Sequence, residues 1–228
     1  MGGNLTISRR QEEASSSSLV VNSEDAAFFS LTDHERHLID STWKHLTASY
    51  SDVGDSEEEL GVRVFMRIFE LQPAIRDSFP LFQSLNDREA MRRNVIFRCH
   101  GLRFVRAVRS VVDNLDALAV TAVPNLDLLG RKHQGIHGFK ADYLLTYETA
   151  MEDIWAETLG RKFDKSTCAA WRKVFRLITS SLLGGYQRSV DTSATAAAAA
   201  TVVRTTAVTP IDVNGSIACN DSECEFSN

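Results

Sequence analysis

Proline is scarce in this sequence: 4 residues in 228, beside 12 glycines. Folds made of many short strands are punctuated by these two residues, so their scarcity beside long periodic segments favours helices. An excess of basic charge is also missing. Lys plus Arg is 25 against Asp plus Glu at 30, a formal charge of −5, which removes the basic stripe of a nucleic-acid binder. No run approaches the roughly 18 apolar residues of a membrane span, and the N-terminal segment lacks the apolar core of a secretory signal. Cysteine is limited to Cys99, Cys168, Cys219 and Cys224. Without a secretory signal these read as free thiols in a reducing cytosol rather than a disulfide framework. The glycosylation sequons at Asn4, Asn214 and Asn220 then read as chance matches, and a cytoplasmic protein is expected.

The two ends differ from the middle. Residues 1–30 include the serine run Ser15 to Ser18, and residues 189–228 include the alanine run Ala194 to Ala200 and five acidic residues, Asp191, Asp212, Asp221, Glu223 and Glu225, against the one basic residue Arg204. Both segments hold too few large apolar side chains to offset the entropy of ordering. They read as mobile tails, although the alanine run is compatible with helix. Residues 31–188 carry every histidine and tryptophan and form one domain with a substantial core.

That domain reads as helices. Thr32-Asp-His-Glu35 is a capping box opening a helix with Leu38, Ile39, Trp43 and Leu46 on its buried side. Ser56-Glu-Glu-Glu59 is read as a second box, before a helix carrying Gly61, Val64, Phe65, Ile68 and Phe69. Pro73 suits the first turn of a short helix, and Phe79, Phe82 and Leu85 follow in a loop. Asp87 and Glu89 are read as opening the longest helix, with the apolar face Phe97, His100, Gly101, Phe104, Val105, Val108, Val111. A connection containing Pro124 is expected next, then Leu126 to His133, with Leu129 and His133 four apart on one face. Two further helices carry Tyr143, Leu144, Tyr147, Met151, Ile154 and Trp155, and then Trp171, Phe175, Ile178 and Leu182, the last ending near Gly184 and Gly185.

His100 and His133 are the chemical signal. Each lies on a face that must turn inward, and an imidazole buried without a partner costs on the order of 1–3 kcal/mol. A metal between them satisfies both. No Cys, Asp or Glu shares those faces, so a tetrahedral zinc site is poorly supplied. An iron that brings four nitrogens of its own, as in haem, needs only one or two axial ligands.

The domain resembles a globin, over about residues 31–188. Trp43 resembles the tryptophan of the first globin helix, and Gly61 and Gly101 the small residues where two globin helices cross. Pro73, Phe79, Phe82 and Leu85 are similar to the corner before the distal helix, with Phe79 as the phenylalanine that stacks on the haem. His100-Gly101 resembles the distal histidine and its neighbour, Leu129-Gly-Arg-Lys-His133 the segment ending in the proximal histidine, and Tyr186 the tyrosine near the end of the last helix. Within globins the Leu-Gly-Arg-Lys-His run, Phe65 at the distal-pocket position and the long tails are most similar to the neuroglobin and globin X group. The resemblance implies an all-α three-on-three helical sandwich holding haem b (iron protoporphyrin IX), with His133 as proximal and His100 as distal ligand. Phe104, where many globins have valine, narrows the pocket.

Three functions follow as expectations. One is a pentacoordinate reversible dioxygen carrier or store, in which His100 donates a hydrogen bond to bound oxygen. The second, toward which Phe65 and Phe104 tilt the reading, is a bis-histidyl hexacoordinate globin. It takes dioxygen, carbon monoxide or nitric oxide after His100 leaves, with a redox or sensing role and a side activity on nitrite or nitric oxide. The third, a haem-free helical sensor domain, is disfavoured by retention of both histidines. Arg103, three residues beyond His100, is read as either a haem-propionate partner or a solvated arginine. His137 is placed near the haem edge, since Gly135 and Gly138 spoil a helical zinc pair with His133. Leu129, Phe139, Tyr143, Leu144 and Ile178 line the pocket or belong to the core, and Cys99 is an inert thiol. Finally, Met1-Gly2-Gly-Asn-Leu-Thr6 fits the N-myristoylation pattern. With no neighbouring cysteine and only Arg9 and Arg10 as basic residues, acylation of Gly2 implies weak, reversible association with the inner face of the plasma membrane.

Overall fold

The computed structural model describes residues 30–50, 56–82 and 87–206, with the backbone alone for residue 56 and residues 199–206. Among them are seven α-helices and no strand: α1 Asp33–Ala48, α2 Ser56–Leu71, α3 Arg88–Arg93, α4 Val95–Val112, α5 Leu118–Gln134, α6 Tyr143–Leu159 and α7 Lys165–Thr206. Short 3₁₀ segments lie at Pro73–Ser78, Pro80–Phe82 and Gly160–Lys162. The chain divides into two compact units at Val190 and Asp191. The first holds α1 to α6 and α7 as far as Val190. In the second, residues 191–206 are helical, and the Thr195 hydroxyl donates to the Asp191 carbonyl at 2.8 Å. The N-terminal tail with Gly2, and the last part of the C-terminal tail, lie outside the described residues. No described helix is long and apolar enough to cross a membrane.

Local chemistry accounts for most boundaries. The Thr32 hydroxyl accepts from the Glu35 amide at 3.2 Å and the Glu35 carboxylate accepts from the Thr32 amide at 2.9 Å, so the expected capping box forms. At the second expected box the helix already includes Ser56, and Glu57, Glu58 and Glu59 pair instead with Arg109, Arg98 and Arg92. The helix read from Asp87 is two helices. Asp87 caps α3, and Asn94, extended at φ −73° and ψ 116°, stops it and caps α4 by accepting from the Phe97 amide at 2.9 Å. The longest described helix is therefore α7 and not this one.

Two expected breaks are absent. Pro124 lies inside α5, although proline removes one helical hydrogen bond and crowds the preceding turn. The carbonyl that loses its donor is that of Val120, and it falls on a solvent face where Val120 and Pro124 are exposed; next to it the Asn125 side-chain amide donates to the Thr121 carbonyl at 3.0 Å. Gly184 and Gly185 likewise lie inside α7, which runs on through the alanine segment to Thr206.

The core is a layer of helices on helices. α2 packs on α4 and α6, and α1 on α2 and α6. At one end Trp43, Trp155, Trp171 and Phe175 interlock, with Trp155 and Trp171 edge to face at 5.5 Å. The Trp171 indole donates to the buried Thr42 hydroxyl at 2.9 Å, tying α7 to α1.

Two backbone crossings then set the helices that carry the histidines. At the α2–α4 crossing a Cβ on Gly61 would fall inside the Gly101 carbonyl. At the α5–α7 crossing a Cβ on Gly130 would fall inside the Leu182 carbonyl, and one on Gly185 inside the Asp127 carbonyl. Beside this second crossing the buried Asp127 carboxylate accepts from Arg131 at 2.8 Å and pairs with Arg188 of α7.

Candidate functional site

His133 occupies the last turn of α5, where a cation or a donor suits the free carbonyls of a helix end. Its Nδ1 is 2.8 Å from the Leu129 carbonyl oxygen one turn earlier. With Nδ1–H donating there, the ring is oriented and its lone pair is left on Nε2, the arrangement typical of a metal-ligating histidine. Burial pushes the His133 pKa down, and the bond to Leu129 works against that shift.

His100 sits in the middle of α4, directly before the crossing glycine Gly101. Burial, then the charge of His133, then that of Arg103 push its pKa down to about 4. The effect of His133 on His100 places the two imidazoles in one electrostatic neighbourhood, although they come from different helices. Both are held neutral at pH 7, so each has a nitrogen lone pair to offer.

Aromatic rings surround both. Phe65 lies 4.6 Å and Phe79 4.9 Å from the His100 ring, each close to perpendicular to it. Phe104 is 5.4 Å from Phe65, and Phe82 stacks on Phe79 at 5.2 Å. On the other side Phe139 is 5.0 Å from His133, with Tyr143 and Tyr186 beyond it at 5.9 and 6.1 Å. The 3₁₀ turns after Pro73 and Pro80 deliver Phe79 and Phe82 to this cluster. The positive φ of Gly138, +78°, turns the chain sharply just before Phe139.

The sequence-derived site residues thus divide. Phe65, Phe79 and Phe104 gather with His100, and Phe139 and Tyr143 with His133. Leu129 is half-buried and contributes its carbonyl. Leu144 and Ile178 are buried in the core. Arg103 is exposed and acts on His100 through its charge. His137 is exposed in the turn after α5 and is not drawn into the ring cluster. Cys99 is exposed and free, as the helical angle from His100 implies. One residue that periodicity marked only as core joins the site: Tyr147, whose ring lies 6.0 Å from both Phe65 and Phe104. Its signal in the sequence was a polar-tipped aromatic one turn after Tyr143 on an otherwise apolar face.

Among the described residues no three His, Cys, Asp or Glu side chains come together. The protein therefore offers a metal two neutral imidazoles and aromatic walls, and the remaining ligands would have to come with the metal.

An all-helical domain with paired inward histidines is the class that fold and site define. The globin family model matches residues 62–182. Cytoglobin-2 of Danio rerio is 31% identical over 68% of this chain and 83% of its own length. Neuroglobin of Danio rerio is 24% identical over 70% of this chain and 94% of its own length. Among solved structures, the hexacoordinated heme protein from anhydrobiotic tardigrade at pH 4 superposes with a TM-score of 0.62 at 19% identity, covering 70% of this chain and 97% of that one. The chain belongs to the globin family.

Proposed function

We propose that this globin binds haem b between His133 and His100 and takes a diatomic gas, dioxygen, carbon monoxide or nitric oxide, in place of His100. The observation that carries the reading is the His133 hydrogen bond to Leu129, which commits Nδ1 and leaves Nε2 as a ligand in an apolar surround. The donor set fits haem and not a bare metal ion, because two imidazoles alone cannot complete a zinc shell but do complete an iron that arrives with four nitrogens. When bound, the haem supplies an iron with one exchangeable position.

His133 is the permanent ligand. Its Leu129 bond fixes the tautomer, and the glycine crossing behind it fixes the helix. His100 is the exchangeable one. Phe65 and Phe79 pack against its ring and hold it neutral in the pocket, which favours occupation of the sixth position. A gas must then wait for His100 to leave, so its apparent affinity falls by the fraction of protein with the ring withdrawn. The aromatic walls exclude water from the site. Arg103, at the exposed edge of α4, is suited to pair with a haem carboxylate.

The test is the visible spectrum of the reconstituted ferrous protein. The wild type is expected to be low-spin. His100→Leu should become high-spin and bind carbon monoxide faster. His133→Ala should lose haem during gel filtration in imidazole-free buffer. A wild-type ferrous spectrum that is already high-spin would return the pentacoordinate carrier. Haem retained with an unchanged spectrum in His133→Ala would remove the proximal assignment.

A further inference from the structure

Four tyrosines are present, and two of them are equally buried yet unlike in what their hydroxyls do. Tyr50 and Tyr147 are each 8% exposed. The Tyr50 hydroxyl is 2.6 Å from the Thr158 hydroxyl, a satisfied core phenol. Tyr147 makes no side-chain hydrogen bond among the described residues. Burial alone pushes its pKa up, with neither a hydrogen bond nor a nearby charge offsetting or adding to it. Its hydroxyl is not among the fully enclosed polar atoms that lack a partner, so the oxygen borders open space rather than packed side chains.

The location of Tyr147 limits what partner that oxygen can take. Its ring stands nearly perpendicular to Phe65 at 6.0 Å and lies 6.0 Å from Phe104. Phe65 is in turn the ring nearest His100, at 4.6 Å. Tyr147 therefore belongs to the aromatic group on the His100 side, whereas Tyr143, one turn earlier on α6, belongs through Phe139 to the His133 side. The other rings of the His100 group, Phe65, Phe69, Phe79, Phe82, Phe97 and Phe104, carry no polar atom in their side chains. His100 and Tyr147 are then the two side chains of this group able to donate a hydrogen bond.

We infer that Tyr147 is a second hydrogen-bond donor for a small ligand held on the His100 side of the site, and that it sets selectivity for diatomics that gather negative charge when bound, such as dioxygen, over carbon monoxide, which gathers little. The inference rests on the haem-binding reading above. A phenol donates one hydrogen bond to an atom bearing negative charge and gains little from an apolar one. It is also the donor that stays in place when His100 swings out of the pocket. The phenol side chain has only two rotatable angles, and Phe65 and Phe104 hold its ring from two directions, so little order has to be created when a ligand arrives.

The experiment compares Tyr147→Phe with its parent in two backgrounds, wild type and His100→Leu, after reconstitution with haem. Phenylalanine keeps the ring and removes the hydroxyl alone. In the His100→Leu background the dioxygen dissociation rate should rise about tenfold, a change equivalent to about 1.4 kcal/mol. The carbon monoxide dissociation rate should change much less, and the C–O stretching frequency of the carbon monoxide complex should move upward. In the haem-free protein Tyr147→Phe should leave the thermal unfolding midpoint unchanged, because the hydroxyl has no partner in the chain to lose. A lowered midpoint would mean a structural hydrogen bond and would overturn the inference. So would unchanged dioxygen rates and an unchanged C–O stretch in a protein that holds haem. A wild-type protein that takes up no haem would instead overturn the haem-binding reading, and this inference with it.

Discussion

Gly185→Ala tests one of the tight backbone crossings near the site. In an isolated helix this change stabilises by about 1 kcal/mol, since glycine is the poorer helix former. Here the new methyl would fall inside the Asp127 carbonyl oxygen, 2.7 Å from its carbon and 2.9 Å from the Asp127 Cα, where ordinary contact begins at 3.4 Å. Every opposing atom is backbone, so no side chain can rotate away. The helices must part by roughly 1 Å, and overpacking of this kind costs about 3 kcal/mol at the upper end of its usual range. The net expectation is a loss of about 2 kcal/mol, or roughly a 1 M fall in the urea midpoint at a slope near 2 kcal/mol per molar. Parting α5 from α7 also strains the pairing of Asp127 with Arg188 and shifts the helix that carries His133, so haem affinity should fall together with stability. Gly135→Ala is the control: its nearest neighbour would be the Lys132 carbonyl at 3.6 Å, ordinary contact, and it should be close to neutral. The assay is urea unfolding of the haem-free protein followed by tryptophan fluorescence. A Gly185→Ala protein at least as stable as wild type would refute the crossing as described.

Three further outcomes are expected. The His100 pKa, pushed down to about 4 in the folded chain from an unfolded value near 6.5, means the unfolded state binds the extra proton first. Haem-free protein should therefore be indifferent to this group above pH 6.5 and lose stability, by about 3 kcal/mol in all, as pH falls from 6.5 to 4; His100→Leu should flatten that part of the pH–stability curve, and an unchanged slope would place the acid sensitivity elsewhere. Thr42→Val removes the acceptor of the buried Trp171 indole and should lower stability by about 1–3 kcal/mol in the same urea assay, without altering the haem spectrum. Gly2→Ala should abolish incorporation of a myristate analogue and shift the protein toward the soluble fraction; absence of Gly2-dependent label would remove acylation, and salt-resistant membrane retention of the wild type would mean a second anchor.

How much of this was legible depended on whether a residue acts along its own helix or across to another. The Thr32–Glu35 box was readable because both partners lie within one turn. The faces of α4, α5 and α6 were readable because burial follows the helical period, and the two histidines stood out as polar groups on the faces of α4 and α5. The boundaries that misled were those where a local rule is overridden by packing. Asn94 was passed over inside a continuous apolar period, yet its side chain caps a new helix. Pro124 reads as a break, but the Val120 carbonyl it leaves without a helical donor falls on a solvent face. Gly184 and Gly185 read as a stop, yet Gly185 is required by a carbonyl on α5, which lies more than fifty positions earlier in the chain and leaves no local trace. Tyr147 was hidden for the same reason, since its distinction from Tyr50 is the presence or absence of a partner across the fold.

The two glycine crossings also explain why the histidine pair is a property of the backbone. Gly101 follows His100 directly, and Gly130 precedes His133 by less than one turn. At each place the opposing helix touches main chain, so the separation of the helix axes is set by peptide groups and not by the size of side chains. Side-chain repacking elsewhere, as in the Trp43, Trp155 and Trp171 cluster, can change how firmly the domain folds while leaving the Cα positions of His100 and His133 largely where the crossings hold them. Helix α6 touches α2 directly and presents Tyr147 to the group around one histidine and Tyr143 to the group around the other. A ligand that displaces His100 then needs only that ring to rotate about its own side-chain bonds, because α4 cannot recede without breaking its contact at Gly61. On the proposed haem-binding reading, exchange at the site would be a side-chain motion within a fixed helical frame, and its rate should respond to the rings that pack on His100, Phe65 and Phe79, more than to substitutions that alter global stability.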